Sequence, residues 1–122
     1  MKKEIHNQKI IAVSGYFDPL HVGHLEYFEL AKKLGDRLFV IVNNDYQAFL
    51  KKQKSFMNEN DRLEIIKSLS IVDYALLSTD QDKSVSKTLE KIKPNIFGNG
   101  GDQIKGSILE EETCIRNNIK IV

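Results

Sequence analysis

The 122-residue chain has a single cysteine, Cys114, so no internal disulfide can form and no cysteine-rich zinc site exists. A reducing, cytoplasmic setting is the simplest expectation. Long hydrophobic runs are missing as well. The apolar stretch near the N-terminus covers only Ile10 to Val13, too short for a signal-peptide core, and no run is long enough to span a bilayer. Nor does one sign of charge dominate. The formal net charge is +1, which argues against a general nucleic-acid or membrane surface. Any anion site must therefore come from a local cluster. Repeats, linkers and low-complexity tracts are absent, and 122 residues suit one domain, 1–122, with a real core.

What is present is an alternation of two periodicities. Lys9 to Gly15 is a short β-branched run ending in glycine, the pattern of a buried strand. From Val22 the pattern changes: Val22, Leu25, Phe28, Ala31 and Leu34 recur every three residues along a helix, and Gly35 is its stop. Arg37 to Asn43 is again nearly continuous apolar sequence, as in a strand covered on both faces. A long polar segment follows, NDYQAFLKKQKSFMNEN. Leu63, Ile66 and Leu69 then mark a helix over 62–69, with Asn58 or Asn60 as its N-cap. Asp73 to Thr79 reads as a third strand. Val85, Leu89 and Ile92 mark a third helix that stops before Pro94. NIFGNGG reads as a fourth strand running into glycines, Ile108 to Ile115 as a last helix, and IKIV as a fifth strand. The series β-α-β-α-β-α-β-α-β predicts an α/β fold: a Rossmann-like, doubly wound, five-stranded parallel sheet with helices on both faces. Ligands of such folds bind beyond the carboxyl ends of the strands.

Three segments follow strands and so face that region. The first, GYFDPLHVGH, holds two of the three histidines, His21 and His24. Gly23 between them leaves backbone N–H groups at the helix start open to close approach. A helix N-terminus favours anions, and imidazoles one turn apart can donate to phosphate oxygens. Asp18 and Pro19 fit a tight turn. The second segment clusters Lys51, Lys52 and Lys54 ahead of Arg62, cations suited to closing over a triphosphate from a mobile loop. The third, Gly98 to Asp102, offers backbone and one carboxylate to a flat ligand such as a base. Taken singly, each has an ordinary reading: solvated histidines, a solvated lysine loop, a turn. A zinc site would need further ligands, and only Asp18 lies close in sequence to the histidine pair. Tyr27, Phe28 and Phe49 read as core or cover, Cys114 as buried and inert, His6 as surface. It is the joint placement at the ends of three strands that favours a phosphate cradle.

Those same residues carry a resemblance. GYFDPLHVGH resembles the G-x-F-D-x-x-H-x-G-H motif of the cytidylyltransferase-like nucleotidyltransferases, a family that includes glycerol-3-phosphate cytidylyltransferases and heptose 1-phosphate adenylyltransferases. LGDRLFVIVNND, LKKQKSFMNENDR, IVDYALL and KPNIFGNGGD resemble further family segments in the same order, over nearly the whole chain. The resemblance implies direct transfer of a nucleoside monophosphate from CTP or ATP to a phosphorylated small molecule, a sugar or polyol phosphate. Pyrophosphate leaves, with no covalent enzyme intermediate. By motif position, His21 and His24 would hold phosphates and stabilise the transition state. Lys51 would neutralise the α-phosphate and the attacking phosphate, with Lys52 beside it, and Arg62 would bind phosphate oxygens or orient the loop. Tyr16, Phe17, Asp18 and Gly23 would shape the nucleotide pocket, and Asn99, Gly101 and Asp102 would lie near base and sugar. Mg2+ would arrive with the triphosphate, since no carboxylate cage is visible in the sequence. A homodimer is implied too, with neither nucleic acid nor membrane as partner. Two departures stand out. The family's Ser/Thr-rich segment after the fifth strand is not in this sequence, and Gln103 stands where a tryptophan or tyrosine is common. A non-catalytic nucleotide-binding module of the same fold is the alternative. A flavodoxin-like signalling domain ranks last, because it gives no reason for the histidine spacing.

Overall fold

A computed structural model describes residues 8–52, 55–98 and 109–122. Five strands form one sheet: β1 (Ile10–Gly15), β2 (Arg37–Val42), β3 (Tyr74–Leu77), β4 (Ile96–Gly98) and β5 (Lys120–Ile121). Their order across the sheet is β3-β2-β1-β4-β5 and every pairing is parallel. Five helices are described: α1 (Val22–Lys32), α2 (Asp45–Lys52), α3 (Glu59–Lys67), α4 (Ser86–Ile92) and α5 (Glu111–Arg116).

The near-continuous apolar strands are explained by two cores, one on each face. Ile11, Val13, Leu38, Val40 and Val42 pack with Phe28 and Ala31 of α1 and Ile66 of α3. Ala12, Ile41 and Phe97 pack with Leu89 of α4 and Cys114 of α5. Alternate strand residues thus go to opposite faces, and both faces are covered, as a parallel sheet requires. The chain runs from β1 toward β3 on one side and returns to β4 on the other side of β1. The connections reverse direction there, so the switch point of the sheet lies between β1 and β4.

Three local readings change. The stripe expected from Val22 to Leu34 is buried only at Phe28 and Ala31, while Val22 is 71% exposed. A three-residue spacing falls short of the 3.6-residue turn, so the stripe winds around the helix and only its middle meets the sheet. The polar segment after β2 is not all loop, because Asp45–Lys52 is helical. Asn44 and Gln47 explain why. Asn44 Oδ1 accepts the Gln47 N–H at 2.8 Å, and Gln47 Oε1 accepts the Asn44 N–H at 3.0 Å, a reciprocal cap across the helix start. Of the two candidate caps for α3, Asn58 is the one used: its Oδ1 accepts the Asp61 N–H at 2.9 Å. The helix consequently begins at Glu59, three residues before the sequence pattern suggests.

Candidate functional site

The turn after β1 is built around an aromatic ring. Phe17 has φ 53, in the left-handed region that side-chain-bearing residues seldom adopt, and it is buried. This conformation folds its ring back against Gly15, where an added Cβ would stand 2.7 Å from Phe17 Cζ. The ring then meets His24 edge-on, with centroids 5.0 Å apart, and Phe28 at 5.4 Å. Asp18 ties the turn to the segment before α3, its carboxylate accepting the N–H groups of Phe56 and Met57 at 2.8 Å each.

His21 and His24 form the start of α1. His21 is the N-cap, and its Nδ1 accepts the Gly23 N–H at 3.1 Å. His24 Nδ1 accepts the His21 N–H at 3.0 Å. The rings lie 3.8 Å apart, tilted by 31°. An imidazole nitrogen that accepts carries no proton, so each neutral ring holds its hydrogen on Nε2 as a donor. Burial, and then the neighbouring His21, hold His24 below the ordinary imidazole pKa. Gly23 serves this arrangement differently from the sequence reading. Its N–H is taken by His21, and a Cβ there would come within 2.9 Å of His21 Cε1.

At the switch point opens a cleft of about 430 Å³ that α1 reaches through Tyr27, with His21 and His24 outside its lining. Its floor is the ends of β1 and β4, from Ser14 and Gly15 to Phe97 and Gly98. Tyr16, Tyr27, Lys51, Lys83 and Glu110 contribute to its walls. Lys51 is exposed at the end of α2, with Nζ 4.7 Å from the centroid of the Tyr16 ring. Burial raises the Tyr16 phenol pKa, Arg62 opposes the rise and Glu110 adds to it. Tyr27 stands one turn beyond His24 and donates its hydroxyl to the Gly98 carbonyl at 2.9 Å, joining α1 to β4.

The site residues expected from the sequence therefore divide. His21, His24 and Gly23 sit together at the α1 N-terminus, and Tyr16 and Lys51 line the cleft. Phe17 and Asp18 stand behind as supports. Arg62 is a correction to the phosphate role: it is 0% exposed and spent on the interior. It donates to the carbonyls of Tyr16 at 2.8 Å, Asn43 at 2.7 Å and Met57 at 3.0 Å, and to Asp45 Oδ1 at 2.7 Å. Of its two expected roles, orienting the neighbouring segments is the one this geometry serves. Lys52 closes α2, while Lys54, Asn99, Gly101 and Asp102 lie outside the described residues. Lys83, Glu110 and Tyr27 are cleft residues without a site role in the sequence pattern, Tyr27 being expected as core or cover. Tyr27 had a signal in its three-residue spacing from His24, whereas the other two come from segments with no motif. Among the described residues no group of three or more His, Cys, Asp or Glu side chains is gathered to hold a metal, and no helix is long and apolar enough to cross a membrane.

Comparison with known proteins agrees with this architecture. An FAD synthase of Methanohalophilus mahii is 42% identical over 94 residues, 77% of this chain. The bifunctional protein HldE of Helicobacter pylori is 38% identical over 113 residues, 89% of this chain. The chain spans 64% of the first relative's length and 24% of the second's. A solved lipopolysaccharide core biosynthesis protein from Thermoplasma volcanium superposes with a TM-score of 0.80 at 35% identity, covering 95% of each chain. The cytidylyltransferase-like family model matches residues 12–122. That span begins in β1 and takes in the histidine pair, the cleft and all five strands, and the chain belongs to the cytidylyltransferase-like family of nucleotidyltransferases.

Proposed function

We propose that the protein transfers AMP from ATP to a phosphate monoester on a polyol, with flavin mononucleotide as the acceptor, and releases pyrophosphate. The observation that carries this is the paired Nε2–H donors of His21 and His24 at the N-terminus of the helix whose Tyr27 lines the switch-point cleft. Both rings are fixed through Nδ1, so their donors are oriented before substrate arrives and need no reorganisation during reaction. Choice of acceptor follows from chemistry and kinship. FAD is FMN joined to AMP through a pyrophosphate link, and an FAD synthase is among the relatives. FMN carries its phosphate on a ribityl chain, so it is itself a polyol phosphate.

In the transfer an oxygen of the acceptor phosphate attacks the α-phosphorus in line. A new P–O bond forms as the α–β bridging bond breaks, and its electron pair leaves with pyrophosphate. The protein positions the groups and meets developing charge. His21 and His24 donate to the triphosphate oxygens, and Lys51, an exposed cation at the cleft, neutralises the two phosphates that meet. Asn99, Gly101 and Asp102 are assigned to the base and its sugar. Mg2+ would travel with the triphosphate as its counter-ion. A homodimer in the cytoplasm completes the reading. The test incubates the protein with ATP or CTP and, in turn, FMN, glycerol 3-phosphate and a panel of sugar phosphates. Pyrophosphate and FAD should appear together from ATP and FMN, and their absence with every pair would sink the reading.

A further inference from the structure

One residue on the cleft wall does not suit a phosphate. Glu110 precedes α5, is 9% exposed, and lines the cleft together with Lys51 and Lys83. Its Oε2 accepts the Val85 N–H at 2.9 Å. No ion pair joins it to either lysine among the described residues, and the charges that reach it from behind belong to Asp80 and Asp82. Burial pushes its carboxyl above the ordinary range, the Val85 and Glu110 backbone N–H groups oppose the rise, and both aspartates add to it. A carboxyl in such a place repels phosphate. The ligand group that satisfies it is a neutral hydrogen-bond donor.

We propose that Glu110 recognises the acceptor's polyol, taking hydrogen bonds from hydroxyl groups of the chain that bears the attacking phosphate. This rests on the transfer reading above, and it assigns an orientation within the cleft. The triphosphate goes to the α1 N-terminus. What remains is the wall formed by Lys83, Val85 and Glu110, on the α4–α5 side of the sheet. Cations hold the phosphate end of the acceptor while the lone acid takes the hydroxylated part. A phosphate monoester lacking hydroxyls gains nothing from Glu110. The carboxyl is thus a specificity-determining group, because it binds the acceptor without touching the reacting phosphorus.

The test compares the wild type with Glu110→Gln and Glu110→Ala. Glutamine keeps an oxygen for the Val85 N–H, so this variant separates recognition from folding, and thermal melting checks both proteins. Steady-state kinetics with FMN and ATP give the KM of each substrate, and phenyl phosphate serves as an acceptor without hydroxyls. The KM for FMN should rise about 10- to 100-fold in Glu110→Ala and by a smaller factor in Glu110→Gln. The KM for ATP and the use of phenyl phosphate should change less than about twofold. An unchanged KM for FMN overturns the proposal. So does a loss confined to ATP, which would assign the carboxyl to the nucleoside instead. If wild-type protein transfers to a sugar phosphate and not to FMN, the same comparison runs on that acceptor. Wild-type protein that transfers to no acceptor defeats the functional reading before any variant is made, and this proposal with it.

Discussion

Arg62 and Lys51 are both basic, lie eleven positions apart and flank the same strand ends, yet they do opposite work. Arg62 is closed in by three carbonyls and the Asp45 carboxylate. It fastens the end of β1, the end of β2, the start of α2 and the approach to α3. Lys51 is exposed, stands over an aromatic ring and faces an open cleft. What separates a strut from a ligand-binding cation is the number of partners the protein itself supplies. A cation enclosed by its own protein presents no charge to substrate.

Arg62→Leu tests the closed region and should have the largest effect. It strands three carbonyls and a carboxylate, at a cost of about 3–5 kcal/mol in urea denaturation. Unchanged stability with lost activity would return Arg62 to the phosphate site and erase the contrast. Lys51→Met tests the open region. It should lower kcat/KM about 100-fold, or ~2.7 kcal/mol of transition-state stabilisation, while the melting temperature stays put. A comparable loss of stability would make Lys51 structural too. Asn58→Ala removes the cap that sets where α3 begins and therefore where Arg62 stands. About 1 kcal/mol of stability should go, with kcat largely retained. Smallest is a pH effect at His24. Its folded pKa is below the ordinary value, so the unfolded chain takes up the proton first, and stability should fall as pH drops below about 6.5, until the folded ring is protonated in turn. The cause is local: burial, and then the neighbouring His21, disfavour the charged ring. Melting curves across this range should slope for wild type and flatten for His24→Gln.

The contrast also explains which parts of the molecule were legible from sequence. β1 and β2 were, because strands covered on both faces leave uninterrupted apolar runs. The histidine pair was legible because its partners are its own near neighbours. α2 was not, since it is short, mostly polar, and started by a side-chain exchange between Asn44 and Gln47 rather than by hydrophobic spacing. Burial of Arg62 was hidden because its partners come from positions 16, 43, 45 and 57, which only the closed sheet brings together. Glu110 and Lys83 reach the cleft by the same route, through topology and without a motif.

The packing of Phe17 has a consequence for anyone who would alter this protein. Gly15 has no side chain because the Phe17 ring occupies its place, and that ring in turn touches His24. A change at residue 15 therefore arrives at the histidine pair through one intermediary. Single substitutions at 15, 17 and 24 will not combine by simple addition. The three positions share one packing, and a change at one of them calls for a matching change at the others.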